Sequence, residues 1–385
     1  MSSSILARMA STPEMLACFD DAALIGAALA FERALAAVLA EHGAIAAAAA
    51  AAIAAACDGF DATGLGDDAA HAGTLAIPLV ARLRAAVPAA HAAAVHLGAT
   101  SQDVADTALV LQIVPAGRLV ERELTAVTRA LAALARAHAT TPAIGRTLLQ
   151  PAEPITFGMR AANWLLGLDA AHARLTRELR GAAQLQLGGA VGSLAALGAV
   201  GPSVRAQLAA RLGLADGPAW HSRRDVLAGL GAALAITVGA AGKLARDVAL
   251  GMQREVGEVA EPAVAGRGGS SAMPHKRNPT GCQVALSAAI RAPALAATLL
   301  AGLPQELERG LGGWQAEAPV VAELFELAHG ALAAMRGVVE GLEVHVAALA
   351  AGAVAPAPEA IAAAARFVEE ALAVYEARPR APRCC

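Results

Sequence analysis

Apolar residues recur along most of this chain at the three- and four-residue intervals of a helix, interrupted by short clusters of glycine, proline and hydroxyl side chains. Ser11, Thr12, Pro13 and Glu14 mark a first helix start: a hydroxyl cap, a proline in the first turn and a carboxylate three residues after Ser11. The pattern then predicts helix through Phe31 to about residue 56, where Gly59, Gly64 and Gly66 break it. A short helix carrying Ile77, Leu79, Val80 and Leu83 ends near Pro88. After a turn over residues 96–100, Ser101, Gln102 and Asp103 can cap a long helix reaching about residue 138, with a kink at Pro115. Residues 141–154, with prolines at 142, 151 and 154, read as an irregular connection. Further helices are predicted over about 155–182, 203–212, 222–260, 280–301 and 318–350. A last amphipathic helix over 359–376 precedes a basic, proline-rich stub that should be disordered.

Val226, Leu227, Leu230, Leu234, Ile236 and Val238 surround much of one helix, and a helix apolar on every side must be enclosed by others. The expectation is an all-α protein: a helical N-terminal domain (residues 1–100), a long central helical bundle (101–350) and a reduced C-terminal domain of one helix and a tail (351–385). So much apolar surface also predicts packing against other subunits. The 385 residues are 57% hydrophobic but only 3% aromatic. Their core must be filled by small aliphatic side chains, which suits closely spaced helices better than sheets.

A net charge of -3, with no basic stripe interleaved with aromatics, argues against a nucleic-acid partner. Two uncharged runs, 43–57 and 226–242, fall short of the ~20 apolar residues of a membrane span and read as buried bundle helices. Five cysteines show no C-x-x-C spacing and the N-terminus has no apolar signal core, so a cytoplasmic protein with reduced thiols and no membrane attachment is expected. Cys384 and Cys385 resemble a prenylation ending, but nothing else in the chain supports one.

Three segments carry candidate chemistry. His96 to Asp103 (His-Leu-Gly-Ala-Thr-Ser-Gln-Asp) is a hydroxyl-rich turn opening onto a helix N-terminus, where exposed amides and the helix dipole favour a carboxylate. Residues 145–154 offer Arg146, Thr147 and Gln150 as anion and amide contacts. Residues 266–279 begin with Gly266, Gly268 and Gly269, which predict a mobile loop. Ser270, Ser271, Met273, Pro274, His275, Lys276, Arg277 and Asn278 follow. Such a segment can close over an anion and set a hydroxyl against it.

The pattern G-S-S-x-M-P-x-K-x-N-P over residues 269–279 is long and built of uncommon residues. It resembles the signature loop of the fumarase/aspartase superfamily, and the two earlier segments resemble that superfamily's other signature regions in order and approximate spacing. The resemblance covers roughly residues 10–345. The phrases His-Leu-Gly-Ala-Thr-Ser-Gln-Asp, Trp220-His-Ser-Arg-Arg-Asp225 and Gly313-Trp-Gln-Ala-Glu317 look like the branch that closes a lactone on a small tricarboxylate in aromatic-acid catabolism. It implies a homotetramer whose active sites are shared between subunits. By the same resemblance Ser270 is the proton-transfer residue, and Lys276 and Asn278 steady the charge of the intermediate. His96, Thr100, Ser101, Arg146, Thr147, Gln150, Ser271 and Met273 would surround the substrate. No metal or organic cofactor is implied, since substrate and intermediate carry all the charge that moves.

Two departures from the superfamily pattern matter. Members that release an amine or water generally have histidine directly after the threonine of the second region, and Leu148 stands there. Leucine cannot transfer a proton. In lactone opening the group expelled is a carboxylate, whose conjugate acid has a pKa of about 4, and it leaves without protonation. An amine or hydroxide would need a general acid. Leu148 thus speaks for lactone formation and against the rival reading, a C–N lyase of the adenylosuccinate or argininosuccinate type, which would need another acid such as His96, His221 or His275. The C-terminus is also short, without a recognisable third helical domain.

Overall fold

The computed structural model describes residues 4–269, 273, 276–351 and 358–378. Ser270, Ser271, His275 and the C-terminal stub with Cys384 and Cys385 lie outside the described residues. Six helices come first: α1 (Ile5–Ala10), α2 (Pro13–Cys18), α3 (Asp21–Glu41), α4 (Ala47–Asp58), α5 (Leu65–Ala72) and α6 (Ala76–Ala86). Then follow α7 (Ser101–Ala137), β1 (Pro142–Thr147), β2 (Gln150–Thr156), α8 (Phe157–Ala182), α9 (Gly201–Leu212) and α10 (Asp225–Gly251). The remainder is β3 (Val259–Ala260), α11 (Thr280–Ala301), α12 (Glu317–Glu340), β4 (Glu343–Val344), α13 (Val346–Ala351) and α14 (Pro358–Ala377). Among the described residues the fold is all-α apart from two short antiparallel ribbons, β1–β2 and β3–β4.

Helices α7, α8, α10, α11 and α12 pack lengthwise as a bundle, with α3 on α7 and α14 on α8. Leu124, Leu165, Leu234, Ala241, Phe325 and Leu332 are fully buried in its core. Each large aliphatic side chain so buried contributes roughly 1.5–3 kcal/mol, and the many alanines let the helix axes come close. Gly231 shows how close, since a Cβ there would lie 2.2 Å from Leu299 of α11.

Several boundaries differ from the sequence reading for identifiable reasons. The cap of α2 is Thr12, whose hydroxyl accepts from the Met15 amide, while Ser11 terminates α1. Asp20 starts a new helix by accepting from the Ala23 amide. The uncharged run 43–57 is not a buried bundle helix: only Ala49, Ile53 and Cys57 of α4 are buried, at four-residue spacing, so it lies on the surface. Alanine, being small and only weakly apolar, hides this one-sided pattern. Helix α7 continues through Pro115. The region 222–260 stops being helical at Gly251, and 318–350 at Glu340, because β3 and β4 pair there. Residues 141–156 form a hairpin instead of an irregular connection. A two-stranded ribbon has only edges, where prolines cost no ladder bond.

Four described helical stretches, Pro13–Glu41, Asp225–Gly251, Thr280–Ala301 and Trp314–Glu340, are long and apolar enough by length and composition to cross a membrane. In α11 only 28% of the apolar window is buried within the chain, and Ile290 is 76% exposed. That helix presents an uncovered apolar face.

Candidate active site

At one end of the bundle, α7 begins on the first candidate segment. Thr100 is its N-cap, and the Asp103 carboxylate reaches back to the Thr100 amide at 2.9 Å. Asp103 also takes the amides of Gly188 and Gly189, both at 2.9 Å, and the Nε2 of His221 at 2.7 Å. One buried carboxylate thus joins the helix start, the 188–189 turn and the 220–224 segment. One helical turn further on, the Arg224 guanidinium makes a two-pronged bond to Asp106 (2.8 Å each) and contacts Glu317 through Nε at 3.0 Å. It lies 4.6 Å over the Trp220 ring. Arg224, Asp106 and Glu317 are all at most 3% exposed. The two carboxylates hold the Arg224 charge well above its ordinary range against the opposing cost of burial, while burial, more than the arginine offsets, raises Glu317.

This network anchors the turn above it. His96 adopts φ 64° and its Nδ1 lies 2.5 Å from buried Glu32. Gly98 has φ 80°, and a Cβ there would fall 2.4 Å from Leu197, so only glycine fits. Thr100 accepts a bond from Arg309 Nη1 at 2.7 Å, and Ser101 is half-buried beside it. A cation, hydroxyls and a helix N-terminus therefore converge on one place, an arrangement that suits a carboxylate.

The second and third segments lie at the other end. In the β1–β2 hairpin, Thr147 pairs with Gln150, which leaves Leu148 and Leu149 as the two turn residues, at φ 51° and 66°. Such a turn normally takes Asn-Gly. Here two leucines occupy it, 97% and 71% exposed. Arg146 is paired with buried Glu258 at 2.6 Å, which also binds Arg160 at 2.9 Å. Burial would raise Glu258, but the two guanidiniums outweigh it and hold the carboxyl below its usual range. Thr147 and Gln150 are exposed.

Glu258 directly precedes β3, so the hairpin base and the root of the third segment are joined. The stem of that segment closes where the Asn278 amide donates to the Gly268 carbonyl at 2.8 Å and the Asn278 side chain to the Gly269 carbonyl at 3.2 Å. Gly268 has φ 72°, and a Cβ would lie 2.8 Å from the Asn278 carbonyl. Lys276 and Met273 are exposed, and Lys276 forms no ion pair among the described residues. An open groove of about 690 Å³ runs from Gly269 and Asn278 along α11, past Gln283 and Ser287 to Arg291.

The two ends are far apart. Helix α11 runs from the third segment toward the loop that carries Arg309, and its 22 residues span roughly 33 Å. The structure therefore brings Thr100, Ser101 and His96 together at one end, and Arg146, Thr147, Gln150, Lys276 and Asn278 at the other. Arg309, His221 and Glu317 escaped the sequence reasoning as site-building residues. The last two lie in phrases singled out by their likeness to the lactone-forming branch, which was the available signal.

One set of potential metal ligands meets among the described residues, Glu14, Glu123 and His329. Arg122 already contacts both carboxylates and Arg336 lies 3.2 Å from Glu123, so a dication would meet two guanidinium charges.

The family model described as a lyase matches residues 8–293. The chain is 46% identical over 352 residues to a 3-carboxy-cis,cis-muconate cycloisomerase of Bradyrhizobium diazoefficiens, covering 90% of this chain and 78% of that protein. It is 49% identical over 338 residues to a protein of the same name from Pseudomonas aeruginosa, covering 86% and 73%. The crystal structure of the 3-carboxy-cis,cis-muconate lactonizing enzyme of Pseudomonas putida superposes with a TM-score of 0.86 at 42% identity, covering 90% of this chain and 79% of that one.

Proposed function

From the premise that this chain belongs to the lyase family, a branch of the fumarase/aspartase superfamily, we infer that it converts 3-carboxy-cis,cis-muconate to 4-carboxymuconolactone. This is a step in aromatic-acid breakdown by the protocatechuate branch. One substrate carboxylate oxygen closes onto the β carbon, and a proton is added to the carbon α to another carboxylate, so no atom is lost. Leu148 carries the choice within the family. At the tip of the hairpin stands a side chain with no proton to give. A lactone-forming reaction needs none there, because its leaving group in reverse is an already stable carboxylate.

In this reading Ser270 delivers the α proton. Lys276 and Asn278 face the aci-carboxylate charge, the kind of preorganised electrostatics that usually contributes most to such a step. Thr100, Ser101 and Arg309 hold a carboxylate at the other end of the bundle, with Thr147 and Gln150 lining the pocket beside Leu148. Arg146 acts through Glu258, orienting the hairpin. Because the two ends are roughly 33 Å apart along α11, a single copy cannot place both on one small substrate. A homotetramer with antiparallel bundles brings one copy's Thr100 end to another's signature loop, and it covers the exposed face of α11. The Arg291–Glu323 ion pair on that face suits a protein partner better than lipid.

The test is direct. Purified protein supplied with 3-carboxy-cis,cis-muconate should remove the conjugated-diene absorbance with formation of the lactone. Turnover of adenylosuccinate or argininosuccinate with no loss of the diene would establish the C–N lyase reading instead.

A further inference from the structure

Arg277 separates the two residues assigned to the intermediate's charge, Lys276 and Asn278, and its own guanidinium is turned to the body of the protein. Nη2 and Nη1 bind the two carboxylate oxygens of Glu343, at 2.9 and 3.2 Å, and Nη2 also reaches the Glu261 carbonyl. Glu343 opens β4 and is paired with Ala260 of β3. Glu261 is itself a fixed point, since its buried carboxylate accepts the amides of Gly281 and Cys282, at 3.0 and 2.8 Å, at the start of α11. The two roots of the signature segment and its Arg277 thus converge on one small knot built from Glu261 and the β3–β4 ribbon.

We propose that Arg277 and Glu343 are positioning residues that strap the signature segment to the β3–β4 ribbon and so fix where Lys276 and Asn278 stand in the pocket. The proposal rests on the reaction inferred above. Neither residue touches the substrate. A two-pronged arginine–carboxylate pair fixes direction as well as distance. Being half-exposed on both sides, it adds little to global stability. Displacing a catalytic group slightly, by contrast, can reduce turnover strongly. Arg277 in turn holds the Glu343 carboxyl below its usual range, with His345 a lesser contributor.

The experiment uses Arg277→Gln, Glu343→Gln, their double variant and Glu343→Asp of the full chain, read by kinetics, Tm and amide exchange. Each single variant should lower kcat about tenfold with KM nearly unchanged. The double variant should be no worse than either single one, and Tm should stay near wild type. Glu343→Asp, which keeps the charge, should recover part of the loss. Independently of activity, the Asn278 amide, which donates to Gly268, should exchange its hydrogen faster in both single variants. Additive losses, a wild-type kcat in Glu343→Gln, or a rise in KM alone in Arg277→Gln would overturn the proposal, the last by making Arg277 a substrate ligand. If wild-type protein did not turn over the muconate, the inferred reaction would fail. The exchange measurement would still decide the strap: unchanged exchange at Asn278 would sink it.

Discussion

The two ends of the bundle are built on opposite terms. Around the start of α7, Asp103, Asp106, Arg224, Glu317 and His221 are buried and bonded in one network, and Asp103 alone accepts four donors. Around the hairpin and the signature segment, Thr147, Leu148, Gln150 and Lys276 stand exposed, and two leucines sit in a backbone conformation that costs such residues about 1–3 kcal/mol each. At the first end the charges and amides are satisfied within one chain. The second carries backbone strain and leaves its groups facing outward.

The sharpest way to break this contrast is to disable each end separately. Ser270→Ala should reduce kcat by about 10²–10⁴-fold, the range of a lost proton-transfer group, and Ser271→Ala by much less. Thr100→Val, at the other end, should also be nearly inactive. Mixed after reversible dissociation, the Ser270→Ala and Thr100→Val proteins should recover part of the activity if a site draws its ends from different copies. Refolded hybrids without activity would return both ends to one subunit.

Next in size is the buried network itself. Arg224→Met leaves Asp106 and Glu317 buried with nothing to balance them, at a cost of about 3–5 kcal/mol. Denaturant unfolding should show that loss. A variant of near wild-type stability would mean that the finished end is not as over-determined as its geometry implies.

His329 sharpens the comparison from a third place, since it is fully buried yet its nearest carboxylate, Glu14, lies 3.6 Å away and half in solvent. Burial, aided by Arg122 and Arg336 against an opposing pull from Glu14, pushes its pKa from 6.5 to about 4. A folded value below the unfolded one stabilises the protein above pH 6.5, and the benefit is lost as pH falls through about 4. At about 1.4 kcal/mol per tenfold change in proton affinity, the drop to about 4 is worth about 3 kcal/mol. Stability measured between these pH values should decline with a slope that His329→Gln flattens. An unchanged slope in that variant would assign the decline to other groups.

The smallest effect concerns the hairpin tip. Leu148→Gly relieves a left-handed leucine at φ 51°, so hairpin stability should hold or rise by about 1 kcal/mol. Activity should fall, because the apolar wall against the diene is gone. Equal activity in Leu148→Gly would remove this residue from the pocket.

Much of this was legible in the sequence. Helical spacing placed α7, α8 and α11 within a few residues, because long amphipathic or wholly apolar stretches announce themselves locally. The cap of α7 was read one residue late, on Ser101, Gln102 and Asp103, whereas Thr100 is the cap and Asp103 reaches back to its amide. The hairpin did not announce itself, since Leu148 and Leu149 violate the residue preference of the turn they form. The helix ends at Gly251 and Glu340 were equally hidden, because what stops those helices is a pairing of β3 with β4 across more than eighty residues.

By itself, the sequence determined where most of the long helices lie and which residues could carry chemistry. These depend on neighbours within a turn or two, or on the chemistry of one side chain. Only the tertiary structure decided that Arg224 is bracketed by Asp106 and Glu317, that Arg309 meets Thr100, that Arg146 is committed to Glu258, and that the three segments lie at two separate ends. Those facts depend on contacts between residues roughly a hundred or more positions apart, whose energies exist only once the helices have packed.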